Sequence, residues 1–96
     1  MVTGNYFVYI TTNPERSTLY AGVTNDLRVH VQQHYLNKGN KKIFAGRYYC
    51  YQLVYFEVFS DLKQAIAREK EIKNMTREKK DALIATKNPK RDFLRV

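Results

Sequence analysis

Two runs rich in aromatic and β-branched residues, "NYFVYITT" at 5–12 and "TLYAGVT" at 18–24, are separated only by the turn cluster "NPERS". Such side chains suit a pleated surface, and Asn13-Pro14 suits the start of a loop, so the stretch predicts a β-hairpin. After it, Thr24, Asn25 and Asp26 can each cap a helix, and Leu27, Val31 and Tyr35 follow at helical spacing until the chain reaches Gly39. Residues 36–47, "LNKGNKKIFAGR", read as a basic, glycine-bearing loop, and "YYCYQLVYFEVF" at 48–59 reads as a third strand. Ser60 or Asp61 then caps "LKQAIAREKEIKNM", and Thr76 opens a last helix, "TREKKDALIATK", stopped at Asn88-Pro89. The expectation is one domain over residues 1–96 in the α+β class. Its small three-stranded antiparallel sheet is flanked by helices in the order β-β-α-β-α-α.

Charge narrows the partners. Seventeen Lys and Arg stand against nine Asp and Glu, a net +8 on only 96 residues, which favours a polyanion, nucleic acid ahead of an acidic membrane. No 18-residue apolar run is present, and "MVTGNYF" lacks the basic and long apolar segments of a signal peptide. The expected setting is therefore cytoplasmic, with no membrane partner. Cys50, the single cysteine, excludes an internal disulfide and a multi-cysteine zinc cage, and its aromatic neighbourhood reads it as a small buried hydrophobe.

One carboxylate is out of place. At about 100° per residue, Leu62, Ala65, Ile66 and Ile72 form one stripe of the second helix, and Glu69 falls within it. An unpaired buried carboxylate costs several kcal/mol. Three arrangements satisfy it: an ion pair with a Lys or Arg, ligation of a hard cation such as Mg²⁺, or a helix edge turned slightly to solvent. Glu71 and Glu78 fit ordinary solvated faces.

The same wheel puts Leu27, His30, Val31 and His34 on one side of the first helix, with Arg28 about a quarter turn away and Val29 opposite. Spaced i, i+4, His30 and His34 can chelate zinc, but a third nitrogen or sulfur ligand is not evident. A buried histidine bonded to a backbone carbonyl is the commoner arrangement.

Together these pieces resemble the GIY-YIG nuclease domain. "FVY" at 7–9 stands for the first triplet and "YAG" at 20–22 for the second. The likeness continues through "VTNDL", "QQH" at 32–34, "LVYFE" at 53–57, "AREKEIK" at 67–73 and "NP" at 88–89, as in the small stand-alone bacterial members. The resemblance implies metal-dependent endonuclease chemistry on DNA phosphodiesters, with one Mg²⁺ or Mn²⁺ ion and no small-molecule cofactor. It implies Tyr20 as general base or water activator, Tyr9 as its assistant, and Glu69 as the metal ligand. His34 matches a histidine of many relatives. A phenol near pKa 10 is only about one part in a thousand ionised at pH 7, so Tyr20 needs a neighbouring cation to act as a base.

The sequence departs from the family at two places. Phe7 replaces the first triplet's glycine, and His30 stands where the family keeps a phosphate-binding arginine, ten residues after Tyr20. Arg28 lies about 200° around the helix from His30 and does not simply substitute. Protonated imidazole offers phosphate one charged hydrogen bond but lacks the arginine fork, and it is ordinarily neutral above about pH 6.5. Two functions are consistent with this: a nuclease of reduced activity on branched or damaged DNA in repair or recombination, or a catalytically silent nucleic-acid-binding module. A structural zinc protein built on His30 and His34 ranks third. Expected phosphate contacts are Arg28, Lys38, Lys41, Lys42, Arg47, Lys73 and Asn88. The sequence leaves a protein partner or a homodimer open.

Overall fold

In a computed structural model that describes residues 5–36 and 49–95, β1 (Tyr6–Thr12) and β2 (Leu19–Thr24) form the expected hairpin. Its loop is built by Asn13. The buried Asn13 carbonyl Oδ1 accepts from the Ser17 and Thr18 amides at 2.8 and 3.0 Å, while Nδ2 donates to Ser17 Oγ at 2.7 Å. Asparagine does this well because its side chain can imitate a backbone turn. β3 (Gln52–Phe59) pairs antiparallel with β1, giving the order β2-β1-β3 and leaving β2 at an edge. The third strand starts later than the sequence suggests, since Tyr49 has φ 60°, a left-handed turn conformation outside strand geometry.

Each sheet face has its own cluster. Val8, Ile10, Ala21, Val54 and Tyr55 pack with Ala65 and Ile72 of α2 (Leu62–Lys73) and Ile84 of α3 (Arg77–Ala85). On the other face Tyr9 and Leu53 pack with Leu27 of α1 (Leu27–Leu36), flanked by Phe7, Tyr20, Phe56 and Leu94. Each helix starts on a side-chain cap: Asp26 accepts from the Val29 amide, Asp61 from Lys63, and Thr76 from Lys79. Leu62 departs from the expected apolar stripe and is 43% exposed, because as the first residue of α2 it precedes the turn that meets the sheet at Ala65. Val29 faces solvent as the wheel requires, and Cys50 is fully buried, its thiol pushed up to about 11 by desolvation. Among the described residues, no helix is long and apolar enough to cross a membrane.

Two polar assemblies tie the layers together. Arg77 of α3 donates to the Ser17 and Arg16 carbonyls at 2.7 and 3.2 Å and pairs with Asp81, which also meets Arg91; Arg16 stacks on Phe93 at 4.1 Å. The hairpin loop is thereby clamped to α3 and to the segment after it. Between β3 and α2, Arg68 grips Glu57 through Nε and Nη2, both at 2.9 Å, and also pairs with Glu71 at 2.8 Å. Tyr55 donates a hydrogen bond to the same Glu57 carboxylate.

Desolvation alone would raise the Glu57 carboxyl, but hydrogen bonds from Arg68 and Tyr55 outweigh it and hold the group below its ordinary value. The pair's contribution to folding is fully present above the unfolded carboxylate value, about 4.3, and is lost as pH falls through the lower folded value. Arg68→Met should lower stability by about 1–3 kcal/mol near neutral pH by leaving the carboxylate without its charged partner. It should also flatten the acid limb of stability against pH, measured by urea unfolding from pH 7 to 3. An unchanged acid limb would assign that sensitivity to another carboxylate.

Candidate active site at the edge of the hairpin

Tyr9 sits on the central strand directly opposite Gly22 of the edge strand. A Cβ at position 22 would lie 2.6 Å from Tyr9 Cζ and 3.1 Å from Cε2, so the ring lies across β2 in the space that the glycine leaves. Any larger residue would force the ring off this path, and Tyr9 is only 2% exposed, with little room to retreat. This gives the glycine of "YAG" a packing function that could have been found by counting the hairpin register.

Around this ring three other groups converge. The Tyr20 ring, two residues before Gly22 on the same face of β2, is centred 6.4 Å from Tyr9, and the His30 ring of α1 is 5.7 Å from it. From α2, Glu69 is near enough that its charge acts on the Tyr9 phenol. Burial first, then electrostatic interaction with Tyr20 and Glu69, push that phenol well above the ordinary 10. Tyr9 is consequently a hydrogen-bond donor across the whole physiological range and a poor base.

Glu69 realises the partly buried position that the helix wheel suggested: its side chain is 15% exposed, and Oε2 meets Lys73 Nζ at 3.1 Å, one helical turn on. Lys73 in turn lies 5.8 Å above the Tyr20 ring. Of the three arrangements open to Glu69, the ion pair is the one formed. The place is thus one where a carboxylate already holds a cation. Its carboxylate is an oxygen donor, as are the nearby phenols, which suits a hard divalent ion that takes one or two carboxylates and keeps most of its waters. Lys73 is about half exposed and attached by a flexible stem, so it can yield that position. Among the described residues no three His, Cys, Asp or Glu side chains come together, as a zinc cage would need.

His30 is fixed by a residue that the sequence suggested only as a possible cap. Thr24 Oγ1 accepts the Asp26 amide at 3.1 Å and lies 3.2 Å from His30 Nδ1. The hydroxyl, also 3.3 Å from the Asp26 carbonyl, can donate to a bare Nδ1 or accept from an Nδ1–H, according to the tautomer. Arg28 is exposed and lines a separate shallow pocket with Phe7, Asn25, Asp26, Leu27 and Phe56. Asn88, expected at the nucleic-acid interface, is 7% exposed and fully engaged by backbone. Its Nδ2 donates to the Val54 and Asp92 carbonyls, both at 2.9 Å, and Oδ1 accepts the Asp92 amide at 3.0 Å. Lys38, Lys41, Lys42 and Arg47 lie outside the described residues, as does the side chain of His34 on α1.

Comparison with known proteins agrees with the resemblance drawn from the motifs. The profile of the GIY-YIG catalytic domain matches residues 5–81. A UPF0213 protein of Haloquadratum walsbyi is 42% identical over 78 residues, covering 81% of this chain and 84% of the relative. The UPF0213 protein YazA of Bacillus subtilis is 34% identical over 96 residues, covering 100% and 94%. The solution NMR structure of a UPF0213 protein from Bacillus halodurans superposes with a TM-score of 0.55 at 26% identity, over 90% of this chain and 88% of that one.

The Tyr9 and Gly22 geometry makes a direct prediction. Gly22→Ala should destabilise the protein by about 1–3 kcal/mol through overpacking. In a Tyr9→Leu background the same change should cost far less, or add a few tenths of a kcal/mol, since alanine suits a strand better than glycine does. Urea denaturation of the four proteins measures the coupling, and equal costs in both backgrounds would show that glycine is required for some other reason.

Proposed function

Because the chain belongs to the GIY-YIG catalytic-domain family, a family of nucleases, we propose that it is a divalent-metal-dependent endonuclease acting on DNA phosphodiester bonds. The carrying observation is the gathering of Tyr9, Tyr20, His30 and Glu69 around one sheet edge in a chain of net charge +8. Branched or damaged DNA is the proposed substrate, the cytoplasm the proposed setting, and Mg²⁺ or Mn²⁺ the proposed ion.

The roles follow from environment. Tyr20, only partly buried, faces the site and takes or orients the proton of the attacking water. Tyr9, held protonated, donates a hydrogen bond that positions the nucleophile or an oxygen of the phosphate. Glu69 is the side chain that would hold the divalent ion, whose contribution when bound is to stabilise charge on the phosphate. Lys73, next to Glu69, supplies a cation to the substrate strand. His30, anchored by Thr24, occupies the position of the phosphate clamp but offers a single donor in place of an arginine fork. Lys38, Lys41, Lys42, Arg47 and Arg28 are the further proposed phosphate contacts, and His34 follows His30 on α1.

Two substitutions test this, assayed with Mg²⁺ or Mn²⁺ on branched, flapped and single-stranded DNA. Glu69→Gln should abolish cleavage while leaving the fold and most DNA binding intact; cleavage at the original rate would remove Glu69 from the ion's site. His30→Arg should raise the cleavage rate by one to three orders of magnitude, for a restored contact of about 2–4 kcal/mol in the transition state. A folded, DNA-binding His30→Arg protein that stays inert on every substrate would assign the chain to silent binding.

A further inference from the structure

Beside Tyr20, a pocket of about 330 Å³ is lined by Leu19, Tyr20, Ala21, Lys73 and Lys80. Among the described residues its lining is mostly apolar, and its two charged residues are both cations, contributed by the end of α2 and the start of α3. That volume lies near the lower limit of small-ligand pockets, roughly 300 Å³, and far below what a duplex requires. We propose that this pocket receives one unpaired nucleotide adjacent to the scissile phosphate. Its own phosphate lies between Lys73 and Lys80, and its base or sugar rests on Leu19, Ala21 and Tyr20.

The chemistry selects a nucleotide over simpler anions. Two ammonium groups alone would suit any phosphate, but an apolar floor contributes only to a ligand with an apolar surface next to its charge. It also selects an unpaired one. In a duplex the base faces are stacked against their neighbours, so a concave aromatic and aliphatic wall is reached only by a base that has left the stack. Tyr20 belongs both to this pocket and to the proposed catalytic cluster, which sets the bound nucleotide next to the reacting bond.

The first turn of α3 adds an independent sign. Arg77, Lys79 and Lys80 stand there with only Glu78 as an acid, although a helix N-terminus is stabilised by negative charge. Arg77 is occupied by Asp81 and the hairpin loop. Lys80 is partly buried on the pocket wall and forms no ion pair among the described residues. A cation set against the field of its own helix is stabilised when an anion sits beside it.

This inference rests on the nuclease reading, and the two can fail separately. The measurement is DNA binding by fluorescence anisotropy without divalent metal, using a fully paired duplex and a flapped DNA of equal length. Wild-type protein should prefer the flap. Lys80→Ala should weaken flap binding about ten-fold and lower its salt slope by about one unit, leave the paired duplex within about two-fold, and be rescued by Lys80→Arg. In parallel, a thymidine dinucleotide should shift the NMR signals of the Leu19 and Ala21 methyls, whereas inorganic phosphate should not. Equal losses on paired and flapped DNA would reduce Lys80 to a general backbone contact and overturn the pocket, as would unmoved Leu19 and Ala21 methyls. Wild-type protein that bound neither DNA would overturn the pocket and the nuclease reading together.

Discussion

A tyrosine ring from the central strand has to cross the backbone of the edge strand, and it can do so only over a residue without a side chain. Tyr9 and Gly22 make that crossing. The rest of the candidate site is arranged around its outcome. Tyr20 precedes the glycine on the same strand and face, so its ring stands alongside Tyr9, and α1 brings the His30 ring to the same tyrosine. Because the phenol reaches the sheet edge, a carboxylate on the helix that covers the other face can act on it. A core side chain is thus also a site side chain, and packing and chemistry here cannot be changed independently.

Holding such a site still requires that the hairpin not slide. Its loop is organised by Asn13, and Arg77 anchors it from α3 through two carbonyls. The opposite strand is anchored by the Glu57–Arg68 pair and by Asn88, whose amide reaches the Val54 carbonyl. Buried polar groups of this kind add less net stability than their number suggests, but each is expensive to leave unmatched. They therefore oppose alternative registers more strongly than they lower the energy of the right one.

Much of this was legible in the sequence. The hairpin, the caps and the β-β-α-β-α-α order follow from alternating bulky residues and well-placed Asp, Thr and Pro, because those signals are local. Glu69 stood out because a charge in an apolar stripe violates the helical period, and the structure gives it both partial burial and a lysine partner. What escaped was non-local. The register shift between Ile10 and Thr11 lets Val54 and Tyr55 both enter the main core, which erases the alternation that would have marked Glu57 as a partner for Arg68. Asn88 looked like a polar residue available to a ligand, but two segments far apart in sequence enclose it. Thr24 was visible as a cap, yet its second bond, to His30, depends on where the helix turns after the strand.

The segment beyond α3 has a bearing on where the folding unit ends. The match to the catalytic domain stops at residue 81, but Ile84 fills the main core, the Leu94 amide donates to the Leu53 carbonyl at 2.7 Å, and the Leu94 side chain reaches the cluster that contains Tyr9. With Phe93 packed against the main core and Leu94 against the other cluster, the chain after α3 touches both and is tied to β3 at Leu53. A fragment cut at residue 81 would keep every residue assigned a catalytic part and lose the Ile84 and Leu94 contacts with the two clusters around them. In this chain the packing that supports the site extends past the stretch that the catalytic-domain match marks out.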